Sequence, residues 1–286
     1  MAGMMLEKAR VLTHRRMARD HYLMRIKSPH AARHSRPGQF LHVRCAEARG
    51  GASSGASRCA DQGAFPLLRR PFSLFDVDTR RGTVDFIYKV VGLGTAALSE
   101  ISTGSSVDFL GPLGHPFEIP RGIRTAYLIG GGVGIPPLYL LAKSLLQKKA
   151  KVAAFLGART KGWVICREDF RKMCVPVYTA TDDGTLGYRG SVVDLLRTVI
   201  ASPAKRGEAI SLFICGPTPM MAAAAELARE RSIPAQVSLE ERMGCAMGVC
   251  MGCVVEVATE PIHAHRRFQR VCTEGPVFDS EIIRWR

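Results

Sequence analysis

Thr125-Ala126-Tyr127-Leu128-Ile129-Gly130-Gly131-Gly132-Val133-Gly134 decides the fold of this chain. A short apolar run breaks into glycines, and an amphipathic pattern continues through Lys149. A buried strand, a tight turn and a helix follow from that order. Such a turn leaves the first N–H groups of the helix free to face a pyrophosphate. The spacing departs from G-x-G-x-x-G, because Ile135 stands where a third glycine would fall and Pro136-Pro137 follow. The same residues would equally serve a plain strand–helix connection, so the motif by itself leaves both readings open.

Outward from this turn the rhythm repeats. Strands are expected at Lys151–Leu156, Val175–Ala180 and Ser211–Cys215, with helices over Val192–Ile200 and Pro219–Arg231. Alternation of this kind gives a parallel doubly wound sheet. Ligands of such sheets sit beyond the carboxyl ends of the strands. That draws attention to Thr181-Asp182-Asp183-Gly184 after one strand and Cys215-Gly216-Pro217 after another, although Cys215 would also suit a tightly packed strand end.

Before residue 120 the pattern is different. Val11-Leu12, Tyr22–Ile26, Phe40–Val43 and Val84–Val90 have strand length and composition, punctuated by Gly and Pro, as in a small antiparallel barrel. Within it, Arg70-Pro71-Phe72-Ser73 enters a strand with a cation, a rigid turn and a hydroxyl. Gly92-Leu93-Gly94-Thr95 then opens a helix expected over Ala96–Ile101, whose N-terminus favours an anion. An Arg before a Pro is also an ordinary turn residue. The Gly-, Ala- and Ser-rich stretch 46–63 reads as a flexible loop.

After residue 238 the chain is too short for another full domain and carries Cys245-Ala246-Met247-Gly248-Val249-Cys250-Met251-Gly252-Cys253, with Cys272 following after eighteen intervening residues. This C-x4-C-x2-C…C spacing is that of plant-type [2Fe–2S] ligands. Gly244, Gly248 and Gly252 let the loop turn so that backbone N–H groups face sulfur, and the apolar residues between the cysteines limit water. Structural zinc is the competing reading, but it usually uses two C-x2-C knuckles and this chain has one. Three sections result: a barrel over 1–120, a nucleotide domain over 121–238 and a cluster segment over 239–286.

A [2Fe–2S] cluster passes single electrons and a nicotinamide passes a hydride, so a flavin is expected between them. The bulk numbers agree with a globular protein of this kind: 286 residues, 47% hydrophobic and 23% charged. The net charge is +15, and nine cations (Lys8, Arg10, Arg15, Arg16, Arg19, Arg25, Lys27, Arg33, Arg36) fall within the first 36 residues. They are dispersed among apolar residues, as on the solvated side of strands, and no nucleic-acid-binding motif accompanies them. A basic surface that docks an acidic partner stays open. No stretch has the length of a membrane span and no signal peptide is evident, so a cytoplasmic location is expected. In that setting nine cysteines point to metal binding more than to disulfides.

Taken in order, these motifs resemble the ferredoxin–NADP reductase superfamily, and within it the electron-transfer subunits of two-subunit, NAD-dependent dihydroorotate dehydrogenases. The likeness runs over nearly the whole chain. It implies that Arg70-Pro71-Phe72-Ser73, Ile87-Tyr88-Lys89 and Gly94-Thr95 hold FAD, with Arg70 at a phosphate and Ser73 near the isoalloxazine N5. It implies a NAD site at Gly130, Gly131, Gly132, Gly134, Asp182, Cys215, Gly216 and Pro217. The stretches Ser238–Cys253 and Arg270–Phe278 are the most specific part, and the likeness makes Cys245, Cys250, Cys253 and Cys272 the cluster ligands. It further implies a separate FMN-containing catalytic subunit that oxidises dihydroorotate in pyrimidine biosynthesis, in a heterotetramer of two of each. Nothing in this chain reads as a dihydroorotate site, so no catalytic residue is expected beyond the cofactors. The rival is a reductase subunit of another NAD(P)H-linked complex, such as a hydrogenase, sulfide dehydrogenase or transhydrogenase. The tail 277–286, with Phe278, Ile282, Ile283 and Trp285, suits either packing over the cluster, docking a partner, or finishing the fold.

Overall fold

The computed structural model describes residues 3–46, 67–201, 209–258 and 267–285. From residue 47 onward, the expected flexible loop lies outside them.

Six strands close into an antiparallel barrel: β1 (Met5–Ala18), β2 (His21–Lys27), β3 (Phe40–Val43), β4 (Arg70–Asp78), β5 (Thr83–Lys89) and β6 (Ser106–Leu113). Their order around the barrel is β1-β2-β5-β4-β3-β6. Alternation explains the closure: Ala9, Val11, Met24, Ile26, Leu41, Val43, Phe86 and Phe109 all point into one core. The early cations lie on the other face, with Lys8, Arg10, Arg15 and Arg16 exposed along β1. Arg25 is an exception, reaching across the ladder to buried Asp85 with two hydrogen bonds of 2.7 Å. Two helices interrupt the barrel, α1 (Pro29–His34) and α2 (Leu93–Ser99). The latter begins three residues before the expected Ala96. Thr95 supplies the reason: its hydroxyl accepts the N–H groups of Val91 and Gly92 and so draws them into the first turn.

The second layer contains β7 (Thr125–Gly131), α3 (Ile135–Gln147), β8 (Lys151–Ala158), α4 (Arg167–Lys172), β9 (Val177–Thr181), β10 (Tyr188–Arg189), α5 (Val192–Ala201), β11 (Ile210–Cys215), α6 (Thr218–Glu230) and β12 (Ala235–Ser238). Pro136 and Pro137 suit α3 because its first turn needs no N–H donors. The small strands β13 (Val254–Glu256) and β14 (Phe268–Arg270) pair with each other. A final strand, β15 (Val277–Asp279), joins the large sheet, whose order is β10-β9-β8-β7-β11-β12-β15. All neighbours are parallel except β15, which runs antiparallel to β12. The chain winds outward from β7 through β8 and β9, then returns to β11 on the other side, so the switch point lies between β7 and β11.

The tail finishes the sheet as a strand and also packs against the cysteine segment. Phe278 is buried with Val237, Val271 and Cys272 in a core that also takes Ile283. The stem is closed by a hydrogen bond from Leu239 N to the Pro276 carbonyl. Barrel and sheet meet along α3 and β4, where Phe75 stacks on Tyr139 at 4.5 Å and Lys143 Nζ lies 2.5 Å from Asp76. Among the described residues no helix is long and apolar enough to cross a membrane.

Candidate functional site

Two glycine-bearing loops meet at the switch point. A side chain on Gly134 would strike the backbone of Cys215 and Gly216 at 2.4–2.5 Å, so the two loops pack main chain to main chain. Gly130, Gly131, Gly132, Gly134, Cys215, Gly216 and Pro217 are therefore brought together, at the carboxyl ends of β7 and β11. Asp182 lies on the same edge but beyond β8, two strands from the crevice. The Cys215 thiol is fully buried and is pushed up by that burial and by the charge of Glu240.

A cavity of about 820 Å³ opens beside this crevice. Arg70, Pro71, Phe72, Ser73, Ile87, Tyr88, Lys89 and Thr95 line it. Gly94 does not, although a Cβ there would come within 3.5 Å of the Arg70 guanidinium. That group lies over the first turn of α2, and among the described residues it donates to the Leu68 and Arg69 carbonyls at 2.7 and 3.1 Å. It has no carboxylate partner among the described residues. A free cation against a helix N-terminus is suited to a phosphate.

The remaining walls were not anticipated from motifs. Val133 enters from the nucleotide turn, Phe40 from β3, and Leu239, Glu240, Glu241, Arg242 and Met243 from the segment that leads into Cys245. Continuity offered one signal: a chain entering the cysteine loop directly from β12 has to pass the barrel. Glu240 sits at the cavity mouth, reached by solvent yet walled by protein, and this desolvation raises its carboxyl.

The four cysteines gather in two pairs. Cys250 lies against Cys245, and Cys253 against Cys272. Burial would raise the Cys245 thiol, but N–H groups of Met247, Cys250 and Val249, each 3.4 Å from its Sγ, outweigh this and draw it down to about 6. Burial and Cys253 push Cys272 up to about 12. Among the described residues no three His, Cys, Asp or Glu side chains meet at a single-ion site. Two thiols on each side match a binuclear cluster, which spreads four sulfurs over two irons. The loop bends through left-handed residues at Ala246, Gly248 and Met251, with φ of 57°, 81° and 54°. Arg270 ties it down by donating to the Gly248 carbonyl at 2.9 Å while pairing with Glu274. Met247, Val249 and Met251 remain exposed, Val249 at 79%.

A barrel, a doubly wound sheet and the segment entering a cysteine loop, set around one cavity, define a flavin-dependent reductase with an iron–sulfur unit. Comparison with known proteins agrees. The iron–sulfur cluster binding domain of dihydroorotate dehydrogenase B matches residues 240–284, and the oxidoreductase NAD-binding domain matches 128–226. The dihydroorotate dehydrogenase B (NAD(+)) electron transfer subunit of Desulforamulus reducens is 37% identical over 277 residues, 97% of each chain. That of Geobacillus thermodenitrificans is 39% identical over 276 residues, 95% of this chain and 96% of its own. Among solved structures, an NADH-dependent reduced ferredoxin–NADP oxidoreductase superposes with a TM-score of 0.80 at 30% identity, covering 97% of this chain and 90% of its own. The chain belongs to the family of dihydroorotate dehydrogenase B electron transfer subunits. It is an oxidoreductase subunit whose cofactors are FAD and a [2Fe–2S] cluster, with NAD as the exchanging nucleotide.

Proposed function

We propose that this chain is the electron-transfer half of a dihydroorotate dehydrogenase, carrying electrons from dihydroorotate, oxidised on an FMN-bearing partner subunit, to NAD+ in pyrimidine biosynthesis. One observation carries the reading: the flavin motif, the nucleotide turn and the segment entering the cysteine loop wall the same cavity. FAD, when bound, exchanges a hydride equivalent with nicotinamide and releases electrons singly, and the cluster carries one electron at a time.

The chain's own residues have distinct tasks. Arg70 and the first turn of α2 would hold a flavin phosphate, Ser73 and Phe72 would serve the ring, and Ile87, Tyr88, Lys89, Gly94 and Thr95 would complete the bed. The Gly130–Gly134 turn with Cys215, Gly216 and Pro217 receives the dinucleotide, and Asp182 faces its outer end. Cys245, Cys250, Cys253 and Cys272 ligate the cluster. The working units are 1–120, 121–238 and 239–286. Exposed Met247, Val249 and Met251 form an apolar cap that suits a partner subunit covering the cluster. The assembly is a cytoplasmic heterotetramer of two of each chain.

The likeness in fold to the NADH-dependent ferredoxin–NADP oxidoreductase favours one second reading, a reductase subunit of another NAD(P)H-linked complex. Anaerobic purification with whatever partner follows, a visible spectrum and mass spectrometry separate the two. Flavin and [2Fe–2S] bands with an FMN-bearing dihydroorotate-oxidising partner are expected. The same bands with a different partner move the chain to another complex, and a colourless zinc protein overturns both.

A further inference from the structure

Between the cavity and the cysteine loop the barrel carries a buried histidine whose ring makes no well-formed hydrogen bond. His42 in β3 is 1% exposed, and neither ring nitrogen has a hydrogen-bond partner. Leu41 and Val43 point into the barrel core, so His42 shares the outward face with Phe40. Phe40 lines the cavity, as does Pro71, the residue opposite His42 in β4. On the far side lie the backbone groups of Arg69 and Met243, close to the ring but short of hydrogen-bond geometry. Met243 is the last cavity-lining residue before Gly244 and Cys245.

The chemistry of the ring sharpens the anomaly. Burial first, then the charges of Arg69 and Arg70, lower its pKa to about 4, so it is neutral at pH 7 with one N–H and one lone pair. A buried polar group without a partner is a net cost to folding, and a leucine would fill such a place without it. The isolated fold therefore does not account for an imidazole here, and a group of this kind calls for an explanation outside packing.

We infer that His42 is a positioning residue for the junction between flavin and cluster: closure of segment 239–243 over bound flavin completes a hydrogen bond from the imidazole N–H to the Met243 carbonyl and fixes the gap to the Cys245 loop. This rests on the reading that FAD fills the cavity. The ring acts through Met243, whose chain leads within two residues to a cluster ligand. His42 is not among the residues that line the cavity, which leaves hydride exchange to other residues.

The test uses the full chain with its co-purifying partner, loaded with FAD and cluster, as wild type, His42→Leu and His42→Gln. After anaerobic mixing with NADH, flavin bleaching reports the hydride step, and electron paramagnetic resonance of rapidly frozen samples reports cluster reduction. His42→Leu is expected to bleach flavin at the wild-type rate and to reduce the cluster several-fold more slowly, because the gap between flavin and cluster is no longer fixed. Its melting temperature should hold or rise, and His42→Gln, which keeps an N–H donor, should recover part of the rate. Amide exchange in the wild type should show FAD-dependent protection at Met243 and Gly244. Wild-type cluster reduction in His42→Leu, or a lowered melting temperature with both rates intact, makes the ring a packing residue and overturns the inference. If His42→Leu does not fold, lack of FAD-dependent protection in the wild type overturns it alone. A wild-type complex without flavin or cluster signal fails the cavity assignment instead, and the inference falls with it.

Discussion

The nucleotide crevice and the cysteine loop are both glycine-bearing turns, yet they are held in opposite ways. In the crevice, Gly134 fits against the Cys215 backbone between strands buried on both faces, so packing alone gives the shape. In the cysteine loop, non-glycine Ala246 and Met251 take left-handed conformations, which cost L-residues about 1 kcal/mol or more each. Neighbouring apolar side chains point to solvent, and the main internal support is the Cys245 sulfur accepting three N–H groups. Hydrogen bonds to the Cys245 sulfur and from Arg270 to the Gly248 carbonyl, more than apolar packing, hold the exposed side of that loop. A site shaped by packing exists before its ligand arrives, whereas a site shaped by its ligand's chemistry is lost with it.

That difference can be broken deliberately. The largest effect is expected from Cys245→Ala, which removes the sulfur proposed to bind iron together with the acceptor of three N–H groups. The [2Fe–2S] absorption should vanish while NADH still binds, as measured by fluorescence titration. Phe278→Ala comes next, because it empties a buried site where β15 joins the sheet, at a cost of about 3–5 kcal/mol read in thermal melts. If the tail were a loose appendage, stability would not change. Gly134→Ala should do the reverse of the cysteine variant. It forces a methyl into the Cys215 backbone, costs about 1–3 kcal/mol and weakens NADH binding while leaving the cluster spectrum intact. The smallest effect is expected at Trp163, whose ring centroid lies 3.9 Å from Lys89 Nζ across the boundary between barrel and nucleotide layer. Trp163→Leu should cost about 0.5–1 kcal/mol in denaturant unfolding, with Trp163→Phe retaining part of it.

What was legible in the sequence follows the same division. The run from Thr125 into Gly130–Gly134 announced strand, turn and helix because each signal is local, and the close spacing of Cys245, Cys250 and Cys253 announced an iron–sulfur segment for the same reason. The strands over Phe40–Val43 and Val84–Val90 were readable from composition. β6 and β15 were not, since Gly111-Pro112 interrupts the alternation of one and the other is three residues long, defined by pairing with β12 forty residues earlier. The cavity was half legible. Arg70–Ser73 and Ile87–Lys89 carry motifs, but Phe40, Val133 and Leu239–Met243 become walls only when three units come together. His42 gave no signal, because a lone histidine in a strand looks the same whether its ring is bonded or not.

The bond between Leu239 and Pro276, with β15 beside β12, has a consequence for how such a protein can be taken apart. The cluster unit leaves and re-enters the sheet at one stem, so it is an insertion between neighbouring antiparallel strands and not a trailing appendix. Excising it at that stem would take away the Val271 and Cys272 side chains that bury Phe278 and the Leu239–Met243 wall of the cavity, so cluster unit, sheet edge and flavin bed stand or fall together.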